Sequence, residues 1–154
     1  MKINGRVVDK PNHEILVLPR PDGDLVFRFD AVTDESEFHK LCPRPKPPTV
    51  TKKGGVTVED ATNPDFLSSL DAWGDKKIAW GFLKSIAATD GLEWSTVKME
   101  DPETWNNWKA DVTAAGFSTM EKNILFNTFL EANSLSESRL TEARNRFLAA
   151  QAGV

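Results

Sequence analysis

The stretch CPRPKPPTVTKKGG, residues 42–55, holds four of the chain's nine prolines, four cations and no acid, and it closes on Gly54-Gly55. Each proline fixes its own φ and biases the residue before it toward extended backbone. Pro43–Pro48 therefore reads as a stiff strap, on the order of 19 Å long at about 3.1 Å per residue. A polyproline ligand for an aromatic groove and a nucleic-acid arm are the other uses such a segment has. The fold is then a question of what lies on either side.

Charge divides the 154-residue chain at the same place. Residues 1–41 carry a net charge of -2, residues 42–58 of +4 and residues 59–154 of -6, for a total of -4. An acidic balance argues against a general affinity for nucleic acid or anionic membrane. No apolar run approaches the roughly 18 residues that a transmembrane helix needs, and MKINGRVVDKPNHE lacks the apolar region of a signal peptide. The single cysteine, Cys42, excludes an internal disulfide. A cytoplasmic protein is expected.

Upstream of the strap the pattern is that of strands. KINGRVVD is β-branched and broken at Asn4-Gly5, EILVL (14–18) is a continuous apolar run, and LVFRF (25–29) alternates. Pro21-Asp22-Gly23 supplies a turn between the last two. A small antiparallel sheet of three strands is predicted, with one or two helical turns in DESEFHKLC (34–42), where Phe38 and Leu41 stand three apart.

Downstream the period changes to that of helices. Asn63-Pro64 offers an N-cap and a first-turn proline. Phe66, Leu70 and Trp73 share a face, and after Gly74 so do Ile78, Ala79, Phe82, Leu83 and Ile86, as far as Asp90-Gly91. LEWSTVKME (92–100) fits a strand or a short helix. Asp101-Pro102 opens a helix whose stripe is Trp105, Trp108 and Val112; Gly116 sits where a left-handed C-cap belongs, with Phe117 packing back. Ser118 and Glu121 match a capping box, for a helix carrying Met120, Ile124, Leu125, Phe129 and Leu130. After Asn133-Ser134 a last helix bears Leu140, Ala143, Arg144, Phe147 and Leu148. The expected class is α+β: a small N-terminal antiparallel sheet (1–41), a basic Pro/Gly-rich strap (42–58) and a C-terminal helical bundle (59–154).

No catalytic set emerges. His13 and His39 are far apart, with no second His or Cys at metal-ligand spacing. Asp22-Gly23-Asp24 lacks the further oxygens of a calcium loop and reads as a turn. Cys42 has no base identifiable beside it, and Gly54-Gly55 lacks the strand-to-helix context of a phosphate loop. Trp105 and Trp108 have the spacing of core or interface residues. Catalytic residues, metal ligands and cofactor sites are therefore assigned to none, and the chain is expected to act through its surfaces, not as an enzyme.

Five segments, EFHKLCPRPKPP (37–48), GLEWSTV (91–97), DPETWNNW (101–108), AGFS (115–118) and EARNRFL (142–148), are similar in order and wording to tail assembly chaperones of long-tailed bacteriophages. The resemblance touches most of residues 37–148 and supplies no site residues. It implies a non-enzymatic protein of the host cytoplasm that binds the tape-measure protein during tail morphogenesis and helps recruit tail-tube subunits. Self-association is compatible with that role; nucleic-acid, membrane and cofactor binding are not expected. The alternative is a structural component of the virion: a head-tail connector, a tail-tube subunit or a capsid decoration subunit. Candidate partner-binding residues are Trp105, Trp108, Phe147 and Arg144, with one tryptophan expected to face the partner and the other to be core.

Overall fold

Asn4 and Gly5 both adopt positive φ, 49° and 77°, as a two-residue type I′ hairpin turn demands. The chain thus doubles back within its first eight residues, pairing β1 (Lys2–Ile3) with β2 (Arg6–Val7). The structure is a computed structural model that describes residues 1–134 and 136–153. β3 (His13–Leu18) and β4 (Leu25–Asp30) form a second antiparallel ribbon, in register from His13 opposite Asp30 to Leu18 opposite Leu25. The stretches expected to share one sheet make two separate ribbons, because the tight turn pairs KINGRVV with itself.

On β3–β4 the two faces differ as alternation requires. Leu18, Phe27 and Phe29 are buried, with Leu16 and Leu25 half-buried beside them. Ile15, Val17 and Val26 look outward and are 51%, 50% and 58% exposed.

The strap has no regular structure through its prolines. Beyond them β5 (Thr49–Thr51) and β6 (Thr57–Glu59) pair as a third ribbon, with Gly54 and Gly55 at φ 93° and 78° in its loop. The start of the strap is docked: the Cys42 carbonyl accepts a 2.9 Å hydrogen bond from Trp73 Nε1, and the Arg44 guanidinium lies over the Trp73 ring. Just before it, α1 (Ser36–Leu41) inserts Phe38 among Trp73, Trp80 and Trp105, at ring distances of 5.6, 5.7 and 5.8 Å.

α2 (Pro64–Ile86) starts as its sequence predicts, with the Asn63 side chain accepting from Phe66 N, and it runs unbroken through Gly74 and Gly81. Ile78, assigned to its inner stripe, is 52% exposed; Trp80 is buried instead. The connection 87–101 contains neither strand nor helix. Its polar side chains have local partners that neither regular structure offers: the Asp111 carboxylate accepts from the Thr96 amide and hydroxyl, and Thr104 Oγ1 accepts from Lys98 N and donates to nearby carbonyls.

A 3₁₀ turn (Pro102–Asn107) precedes α3 (Trp108–Ala114). α3 closes in a Schellman motif, with Phe117 N donating to Val112 O, Gly116 N to Thr113 O, and Gly116 at φ 87°. The capping box of Ser118 and Glu121 opens α4 (Thr119–Asn133). One core joins these parts: Phe29 and Phe38 from the first 41 residues pack with Phe82, Leu83, Ile86, Trp105, Leu125 and Phe129. Phe82 is its hub, stacked on Trp108 at 4.1 Å and edge-on to Phe129.

Candidate functional site

Beyond α4, Ser136 caps α5 (Glu137–Ala152) by accepting from Arg139 N. The Arg139 guanidinium then ties the new helix to the body. Nη1 donates to Glu131 O at 2.8 Å and Nη2 to Glu14 Oε1 at 2.6 Å. Past that clamp every described residue of α5 is exposed. At 100° per residue, Leu140, Arg144, Phe147 and Leu148 fall on one side of the helix, with Glu142 opposite. Leu140, Phe147 and Leu148 are 53%, 61% and 49% exposed. A helix of 16 residues is marginal in water by itself, so its apolar side, which no described residue covers, is the candidate surface.

A second surface lies near the other end of α4. A cleft of about 550 Å³ opens between β4, the end of α2, the 90–97 connection and α3. Its floor is apolar, made by Phe27, Ile86, Val112 and Leu125, with Trp94 as one wall. Asp24, Asp90 and Glu93 stand exposed along it together with the half-buried Asp111, and no Lys or Arg lines it. Burial opposes ionisation of Asp111, but hydrogen bonds from the Thr96 hydroxyl and from the Thr96, Ser95 and Val97 amides outweigh it and hold the carboxyl below its ordinary range. Asp24, Asp90 and Glu93 have no ion-pair partner among the described residues.

The four candidate residues separate into two places. Phe147 and Arg144 are on the open side of α5. Trp105 and Trp108 are not surface anchors: both are buried, at 0% and 4% exposure, which corrects the expectation that one of them faces a partner. Trp105 in the 3₁₀ turn and Trp108 at the start of α3 stand three residues apart, a spacing that shares a face in either winding, so both indoles enter the core from the same side. Trp105 Nε1 donates to the Met99 carbonyl at 3.2 Å.

Polar residues that fix the ribbon to the helices were not singled out in the sequence. Thr89 Oγ1 accepts from Arg28 N at 2.9 Å and donates to Arg28 O at 3.1 Å. Ser85 Oγ donates to Asp30 O at 2.7 Å, and Asn133 Oδ1 accepts from Val32 N at 2.7 Å. Only a polar residue breaking an apolar helical stripe, as Ser85 does, hints at such a role. Because Arg28 turns its backbone groups toward Thr89, its opposite neighbour Ile15 is in a non-hydrogen-bonded pair. The N–H and C=O of Ile15 and, by the same alternation, Val17 therefore point off the free edge of β3. Among the described residues no group of three or more His, Cys, Asp or Glu side chains is placed to hold a metal ion, and no helix is long and apolar enough to cross a membrane. The chain matches no protein-family model, no curated protein and no solved structure.

Proposed function

We propose that this chain is a non-enzymatic tail assembly chaperone of a long-tailed bacteriophage. It works in the host cytoplasm, holding an amphipathic segment of the tape-measure protein while tail-tube subunits assemble around it. The observation that carries the reading, beside the resemblance of residues 37–148, is the open side of α5, where Leu140, Phe147 and Leu148 are exposed around Arg144. A helix presenting apolar residues at this spacing takes another amphipathic helix, and an aromatic-arginine pair is the usual composition of a binding hot spot.

Co-expression tests it. A helical tape-measure segment should be more soluble with this protein than without it. Phe147→Ala should weaken binding by about 2 kcal/mol or more, roughly 30-fold, with the melting curve unchanged. A client equally soluble with both proteins, or with neither, counts against the reading.

The second reading, a structural virion subunit, is favoured by a different observation: the free edge of β3 with Ile15 and Val17 beside it, an edge suited to packing in an array by strand addition. Recovery in stoichiometric amounts from purified particles, not only from lysates of infected cells, would select it.

A further inference from the structure

We propose that the acid-edged cleft binds a short extended segment of another protein in which apolar and basic residues alternate. Asp24 stands on the β4 side of the cleft, and Asp90 and Glu93 on the connection that follows α2. All three are exposed and have no ion-pair partner among the described residues. No Lys or Arg lines the cleft to offset them. An apolar floor inside such a margin is complementary to apolar side chains with cations beside them, and opposite potentials fix the register of a contact of this kind.

The segment is extended because β4 offers it a main-chain partner. Thr89 occupies the outward N–H and C=O of Arg28, and Ser85 the outward carbonyl of Asp30. By the two-residue alternation of the ribbon, Val26 turns its N–H and C=O off the same edge. Val26 lines the cleft, and these backbone groups have no partner among the described residues. A residue paired there donates to the Val26 carbonyl and accepts from its N–H, as in strand addition. Its own side chain then lies with that of Val26, on the side to which alternation also assigns Asp24. Its two neighbours point with Leu25 and Phe27 toward the floor. Basic residues at the first kind of position meet the carboxylates, and apolar ones at the second fill the floor. Since positions 28 and 30 are taken, pairing is confined to Val26 and is too short to seed a further strand. Nothing in the contact uses α5, so its failure would leave client binding by that helix to be decided by co-expression.

The test is fluorescence anisotropy with the full-length protein and a fluorescein-labelled peptide, Gly-Lys-Phe-Lys-Leu-Lys-Gly. Binding should saturate at one peptide per chain and weaken at high salt. Three changes should each weaken it about tenfold or more. The first is Asp90→Lys/Glu93→Lys in the protein. The second is N-methylation of the peptide's central lysine, which removes the donor to Val26. The third is regrouping the same residues as Gly-Lys-Lys-Lys-Phe-Leu-Gly. Both substituted positions are exposed, and circular dichroism with thermal melting checks that the variant keeps the fold. Absence of saturable binding would overturn the proposal. Equal binding of the regrouped peptide would do so by reducing the attraction to that of any acidic surface. Equal binding of the N-methylated peptide would do so by leaving a small organic cation as the fitting ligand. Unchanged binding by the variant would place the peptide elsewhere on the chain, with the same result. A protein that associates with itself until Asp90→Lys/Glu93→Lys is introduced would make a second copy the occupant and overturn it as well.

Discussion

Glu121 serves two structures at once. Its carboxylate closes the capping box on Ser118 N and takes a 2.6 Å ion pair from Arg20, whose guanidinium lies over Phe117. The side-chain hydrogen bond from Arg20, then the Ser118 amide, hold its pKa below the ordinary glutamate value. A depressed carboxyl contributes stability that is present above the unfolded-state pKa and lost as pH falls through the folded one. Melting temperature should therefore decline with acid starting near the ordinary value of about 4.3, and Glu121→Gln should flatten that decline while lowering the melting point at neutral pH. A variant with an unchanged acid limb would show that the pair carries no pH dependence. The capping box was legible because its chemistry is local, three residues apart. Arg20 was not, since it lies 101 positions away. The Trp80 indole N–H is buried, with no acceptor among the described residues.

Helix α2 is continuous because its capping and packing outweigh two glycines. Each glycine inside a helix costs up to about 1 kcal/mol relative to alanine. At Gly74 nothing lies within 4 Å of where a Cβ would stand, and at Gly81 the nearest atom, on Phe129, would be 3.5 Å away, an ordinary contact. Gly74→Ala should stabilise the protein by roughly 0.5–1 kcal/mol, read from urea denaturation, with no change in the slope. A destabilised variant would mean that Gly74 serves a contact or motion absent from this structure. The sequence marked where α2 begins but not which of its faces is inside, since it is packed by α1, β4, α4 and the 3₁₀ turn together and buries a broad arc. That is why Ile78 and Trp80 exchange the roles periodicity gives them. Residues 102–115 show a subtler limit: their start and end signals and the stripe of Trp105, Trp108 and Val112 were legible, yet the tighter 3₁₀ winding of the first six residues carries no signal of its own.

The division into a sheet, a strap and a bundle described the order of the parts and understated their joining. Phe38 packs among three tryptophans of the helical region, and Phe29 meets Phe82 at 6.0 Å. A helical region made alone loses those groups. The local caps at Asn63, Ser118 and Ser136 predict that residues 59–154 still give a helical circular dichroism spectrum. The missing side of the core predicts a broad, non-cooperative melt and binding of a dye for exposed apolar surface. A sharp melt close to that of the full chain would show that the first 58 residues are an accessory to a self-sufficient bundle. Ring contacts between residues 35 to 67 positions apart decide this, and no pattern confined to a window of sequence encodes them.

The hydroxyl of Thr89 also sets how many strands this protein can accept. By occupying both backbone groups of Arg28, beside Ser85 on the Asp30 carbonyl, it blocks the outer edge of β4 at its second half and leaves the Ile15–Val17 edge of β3 open, which makes the β3–β4 ribbon monovalent. A monovalent ribbon stops at one added strand, whereas a divalent one polymerises. Thr89→Ala leaves that side of β4 unfilled at Arg28, so the variant should scatter light and bind thioflavin T on prolonged incubation under conditions where the parent solution stays clear. Equal clarity of the two would show that the bulk of α2, and not this hydroxyl, is what terminates growth on that side.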